Sequence, residues 1–128
     1  MKYRVIIAGS RTFQDYDLLK KECDDFLKNK CQTHEIVIVS GAAQGADRLG
    51  EQYARERGYA IDSHPADWKK YGKAAGPFRN AEMVNSADAL IAFWDGKSRG
   101  TEHIIRFSQT KGRKTKIVRY ESNTPPSE

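Results

Sequence analysis

Apolar positions along the chain fall in short, compact blocks separated by stretches that alternate polar and apolar residues at helical spacing. Four runs, Tyr3 to Gly9, Glu35 to Ser40, Ala89 to Trp94 and Lys116 to Tyr120, are brief and rich in Val and Ile. That is the pattern of strands buried on both faces. A weaker run, Tyr59 to His64, supplies a fifth. Between the runs, Leu19, Cys23, Phe26 and Leu27 recur at i, i+4, i+7 and i+8, and Ala46, Leu49, Gly50, Tyr53 and Ala54 repeat the pattern, which predicts two amphipathic helices. Pro77 suits the first turn of a third helix reaching about Ser86, and Thr101 to Lys111 predicts a fourth, stopped by Gly112.

The resulting order, βαβαβαβαβ, predicts an α/β, Rossmann-like three-layer fold: a five-stranded, mainly parallel sheet with right-handed crossovers and helices on both faces. With strand order 3-2-1-4-5, a ligand crevice opens between the first and fourth strands, beyond their carboxyl ends. At 128 residues the chain fits one domain, expected over residues 1–120. The stretch 121–128, with its Ser, Asn, Thr and Pro125-Pro126, is expected to fray.

Composition narrows the classes. No apolar stretch approaches the roughly 20 residues that span a bilayer, so the expectation is a soluble, cytoplasmic protein without a membrane partner. Cys23 and Cys31 lack the spacing of a zinc site or disulfide framework. His34, His64 and His103 show no metal-ligand spacing. Neither a metal nor a cofactor is therefore expected. His103 stands apart from the other two because it lies beside a glycine-rich loop. The net charge of +5 and the pI near 9.2 suit an anionic partner. Lys69, Lys70, Lys73, Arg79, Lys97 and Arg99 lie near two predicted loops and serve this better than the Arg113 to Lys116 cluster.

Three of the predicted strand-to-helix loops carry suitable chemistry. In Gly9-Ser10-Arg11-Thr12-Phe13 glycine permits close backbone approach, Ser10 and Thr12 can donate to phosphate or sugar, and Arg11 can pair with an anion. Ser40-Gly41-Ala42-Ala43-Gln44-Gly45-Ala46-Asp47 offers amides at a helix start, and Asp47 can accept hydrogen bonds from ribose hydroxyls. Asp95-Gly96-Lys97-Ser98-Arg99-Gly100-Thr101 combines glycines, cations and hydroxyls at a helix N-terminus and makes the best phosphate cradle in the chain. A fourth segment, Asp67 to Asn80, alternates aromatics with cations. There Trp68 or Tyr71 can stack on a base while Lys73 and Arg79 reach phosphate. Arg79, in a first helical turn where the dipole disfavours cations, calls for an anion.

Taken together, Gly9-Ser10-Arg11, the Ser40 to Asp47 turn, Gly76-Pro77-Phe78-Arg79-Asn80 with Met83, Ala87-Asp88-Ala89-Leu90 and Gly100-Thr101 resemble the SLOG superfamily. This Rossmannoid group unites DNA-processing protein A with the Lonely Guy phosphoribohydrolases, and the resemblance is to a small branch often encoded by phages. It spans residues 3 to about 118 and implies binding of nucleotides or nucleotide-derived signals, together with self-association into a homo-oligomer. In the hydrolase branch an arginine before the third helix and a glutamate three residues after the Gly-Thr pair carry catalysis. Arg79 matches the first, but Ile104 stands at the second. The usual Pro-Gly-Gly is replaced by Asp95 to Arg99, and Glu102, two residues early, is turned about 200° away on a helix.

The leading expectation is therefore a binding protein, a sensor or sequestering module for a nucleotide-derived small molecule. Gly9, Ser10, Arg11, Gly41, Ala42, Gly45, Asp47, Trp68, Lys73, Arg79, Asn80, Asp95, Gly96, Ser98, Gly100 and Thr101 are its expected contacts. Second comes a nucleoside monophosphate phosphoribohydrolase with Arg79 and Asp47 as catalytic residues, Asp95 or Glu102 being the alternative carboxylates. Third comes single-stranded nucleic-acid binding through the basic and aromatic residues.

Overall fold

The computed structural model describes residues 1–121. Its elements are β1 (Lys2–Gly9), α1 (Tyr16–Leu27), β2 (Glu35–Ser40), α2 (Ala46–Arg57), β3 (Ala60–Ser63), α3 (Trp68–Tyr71), α4 (Ala75–Ser86), β4 (Ala89–Trp94), α5 (Arg99–Thr110) and β5 (Lys114–Arg119). Single 3₁₀ turns lie at Lys30–Gln32 and Gly72–Ala74. The sheet order is β3-β2-β1-β4-β5 and every pairing is parallel, so the α/β Rossmann-like expectation and its strand order hold. The tail expected to fray lies outside the described residues apart from Glu121.

Strand periodicity sorts the core into two layers. Val5, Ile7, Ile36, Ile38, Ile91 and Phe93 face Leu19, Cys23, Leu27, Tyr53 and Ala54 of α1 and α2. Their neighbours in the strands, Ile6, Ala8, Val39, Leu90 and Ala92, face Met83 and Val84 of α4 and Ile104 and Ile105 of α5. Cys23 is buried in the first layer and Cys31 is exposed, and both are free thiols. No helix among the described residues is long and apolar enough to cross a membrane.

The helix starts follow their caps. Asp15 accepts from Leu18 N and opens α1, and Ser98 accepts from Thr101 N and opens α5 two residues earlier than the apolar spacing indicates. Pro77 sits inside the first turn of α4, where amides have no helical acceptor to lose. The aromatic and basic segment after β3 contains a helical turn that the sequence reading did not include. Asp67 caps Lys70 N and turns Trp68–Tyr71 into one helical turn, around which Trp68, Lys69, Lys70 and Tyr71 are exposed.

β1 lies at the centre and its last residue is tightly enclosed. A Cβ on Gly9 would collide with the carbonyl oxygen of Phe93 and lie 2.7 Å from the Cβ of Ala46, the first residue of α2. Only glycine lets β4 and α2 close on the end of β1 together. Gly9→Ala should therefore destabilise the protein by about 1–3 kcal/mol through overpacking, read as a lower urea midpoint at unchanged slope. An unaltered midpoint would show that this junction has slack.

Candidate ligand cleft at the reversal of strand order

The chain leaves β1 toward β2 on one side and returns to β4 on the other, so the loops after β1 and β4 diverge and leave a cleft of about 580 Å³. Ser10 ties its two sides together. Its amide donates to Phe93 O at 2.9 Å, and its hydroxyl accepts from Asp95 N at 3.2 Å. Ser10 is 2% exposed. It was expected as a ligand donor, but its hydroxyl is engaged in bracing the loops. The turn after β2 closes against the same segment. Gly45 adopts φ +81°, and a Cβ there would meet Ser10 O and lie 2.7 Å from Arg11 O, so this glycine serves loop-to-loop contact and does not line the cleft.

Asp47 and Arg79 form the floor on that side. Asp47 is 6% exposed, and its Oδ2 accepts from Ala43 N at 3.1 Å. Burial pushes its carboxyl up to about 6. The Ala43 amide and the Arg79 charge offset only part of that, and Glu51 adds to it. Glu51 is itself buried and accepts from Ser40 Oγ at 2.7 Å. Half-buried Arg79 donates from Nη1 to Gly41 O at 2.6 Å and from Nε to Asn80 Oδ1 at 2.9 Å. Desolvation lowers its pKa and Asp47 opposes that shift. A carbonyl and an amide oxygen bond Arg79 within the protein and the Asp47 charge favours its cationic form, so its position does not by itself require an external anion. Arg79 still lines the cleft with its remaining N–H groups.

The other wall is the start of α5. Asp95 Oδ1 accepts from the amides of Lys97 and Ser98, both at 2.9 Å, and Trp94 Nε1 donates to Ser98 O at 3.0 Å. Burial raises the Asp95 pKa, but these amides and Ser10 outweigh it and hold the carboxyl below its ordinary value. Ser98 Oγ takes Thr101 N at 3.4 Å. Much of the expected phosphate cradle is thus filled from within. The amides of Arg99 and Gly100 have no helical partner and meet no protein acceptor among the described residues.

Of the expected contacts, Gly9, Ser10, Arg11, Asp47, Trp68, Arg79, Asn80, Asp95, Ser98, Gly100 and Thr101 line this cleft. Gly41, Ala42, Gly45, Lys73 and Gly96 do not. Lys73 is exposed on the 3₁₀ turn, and the Arg119 guanidinium packs over Gly96. Lys69, Lys70 and Lys97 also lie outside the lining, which takes its positive charge from Arg11, Arg79 and Arg99. Thr12, Arg99 and His103, singled out in the sequence for their chemistry, line it too, and so do Ala43, Gly76, Pro77, Met83 and Ile104, which were not among the expected contacts. Positions one helical turn after Gly100 and Asn80 were the available signal for His103 and Met83. Among the described residues no group of three or more His, Cys, Asp or Glu could hold a metal ion.

Fold and cleft together define a Rossmann-like α/β protein of the SLOG type. The family model described as YAcAr, the YspA, cpYpsA-related SLOG family, matches residues 3–71, just over half of the chain, and the protein belongs to that family. A curated relative, Gene 61 protein of Mycobacterium phage D29, is 38% identical over 115 residues, covering 85% of this chain and 90% of that protein. The X-ray structure of TM1055, a structural genomics target, superposes with a TM-score of 0.62 at 19% identity, covering 90% of this chain and 72% of that one. This likeness concerns the fold alone.

The buried carboxyl of Asp47 has a measurable consequence. Its folded pKa of about 6 stands above the ordinary 3.8, so the folded state holds a proton that the unfolded state releases, and stability falls as pH rises through that interval. Asp47→Asn removes this loss. The variant should exceed the parent by about 2–3 kcal/mol at neutral pH, and the gap should close as pH falls toward 4. Urea unfolding across that range checks it, and a gap independent of pH would contradict the burial argument.

Proposed function

We propose that this protein binds a nucleotide or nucleotide-derived ligand and acts as a sensor or sequestering module. One observation carries the reading: a single cleft joins an anion-seeking end, the open amides of Arg99 and Gly100 on α5, to an acceptor end, the carboxyl of Asp47. A ligand with phosphate at one end and sugar hydroxyls at the other satisfies both. The volume, about 580 Å³, lies within the range of small-molecule sites. Trp68, 51% exposed at the cleft edge, offers a ring face to a base. Ile104, at the position where the resembling hydrolases carry glutamate, is 2% exposed in the apolar layer. This favours binding without turnover.

One observation keeps a hydrolytic reading in play. Asp47, with its raised pKa, lines the same cleft as Arg79 and could exchange a proton near neutrality. The two readings separate in one set of measurements. Calorimetry and thermal shift against nucleoside mono- and diphosphates, cyclic dinucleotides and ADP-ribose derivatives should find a saturable ligand that raises the melting temperature. Asp47→Asn should weaken it about tenfold. Free base released at high protein concentration would move the assignment to a phosphoribohydrolase. Silence across the whole panel would refute nucleotide binding.

A further inference from the structure

Asn80 lies in the cleft wall at 5% exposure, and its amide orientation is decided by two partners whose roles cannot reverse. Arg79 Nε only donates and reaches Asn80 Oδ1 at 2.9 Å. The Gly100 carbonyl only accepts and lies 3.4 Å from Nδ2. The amide nitrogen therefore also faces His103 Nδ1, 3.2 Å away. A donor in that place makes Nδ1 the acceptor, and a neutral imidazole then carries its proton on Nε2. The ring lies nearly parallel to Phe107, 20° off plane with centroids 6.2 Å apart, and lines the cleft. Nε2 has no hydrogen-bond partner among the described residues, since the only bond to the ring is the one at Nδ1. His103 follows Gly100 by one helical turn, and helical side chains lean toward the N-terminus. The ring thus leans toward the turn whose amides are open.

We infer that His103 is a ligand-contacting residue whose Nε2–H donates to a phosphate-type oxygen at the start of α5, and that Asn80 is the positioning residue that fixes which nitrogen holds the proton. The inference rests on the nucleotide-binding reading of the same cleft. It adds a donor to the open amides and links the two ends of the cleft through one chain of hydrogen bonds, Arg79 to Asn80 to His103. A neutral imidazole N–H recognises a phosphoryl oxygen by the direction of its hydrogen bond and not by net charge, and a nucleoside has no such oxygen to offer, so the site should distinguish phosphorylated ligands from their nucleosides.

The test has two readouts. Nitrogen-15 NMR of the imidazole in the ligand-free protein should show the Nε2–H tautomer, and Asn80→Asp, which replaces the donor with an acceptor, should move the proton to Nδ1. An Nδ1–H tautomer in the parent protein overturns the inference. For binding, the probes are AMP and ADP-ribose, with adenosine as the phosphate-free control. His103→Ala should weaken the phosphorylated probes about tenfold or more and leave adenosine unchanged. His103→Gln, whose amide nitrogen can stand where Nε2 stands, should recover most of the loss. Equal binding of the phosphorylated probes by parent and His103→Ala removes His103 from the site while the nucleotide reading survives. If neither phosphorylated probe binds the parent, the His103 contact falls with it. The tautomer measurement needs no ligand, so the two failures are told apart.

Discussion

The cleft depends on how closely β1 delivers its last residue to two neighbours at once. Gly9 touches the Phe93 carbonyl of β4 and the first residue of α2. The next residue, Ser10, then bonds Phe93 O and Asp95 N on one side while its carbonyl abuts Gly45 on the other. Three loops from distant parts of the chain are thereby locked into one rim. Without that junction the α5 start and the Asp47 floor would have no fixed relation, and the reversal of strand order would leave only a shallow gap.

Within that rim, the charges are arranged sparingly. Most of the lysines expected at the site point to solvent, and the cleft keeps three arginines, whose planar donor forks suit directed contacts to oxyanions. Against them stands one buried carboxyl with a raised pKa. Burying Asp47 costs stability at neutral pH, and only one of its oxygens has a backbone donor. A group that weakens the fold yet lines the principal cleft fits a functional role better than a structural one.

How much of this was legible in sequence varies with the kind of force involved. The four strong apolar runs predicted four strands, and the alternation of elements predicted the parallel order; burial on both faces explains the composition of β1, β2 and β4, whereas β5, expected to be buried likewise, is an edge strand with no buried residue. The one-turn helix α3 was missed because four residues cannot show a period, although Asp67 three residues before Lys70 was a readable cap. The site residues separated by backbone role. Asp47 and Arg79 were found from their place at predicted helix starts and Asn80 from the resemblance, although α4 begins at Ala75 and so puts Arg79 and Asn80 in its second turn. Gly41, Gly45 and Gly96, expected as contacts, lie outside the cleft lining, because a glycine signals close approach without saying to what. Here the approaching groups are Arg79, Ser10 with Arg11, and Arg119.

The same ambiguity bears on the difference between a binding protein and a hydrolase of this fold. Read along the sequence alone, position 104 shows one missing carboxylate, as though a single exchange separates the two. Ile104 belongs to the buried cluster with Met83, Val84, Leu90 and Ile105 that fastens α4 and α5 to the sheet. It also lines the cleft. A carboxylate there would have to leave that cluster or be desolvated within it, at a cost of several kcal/mol. The departure from the hydrolase pattern is therefore built into how the second layer packs. In this chain Met83 and Ile104 both hold α4 and α5 against the sheet and give the cleft part of its apolar lining.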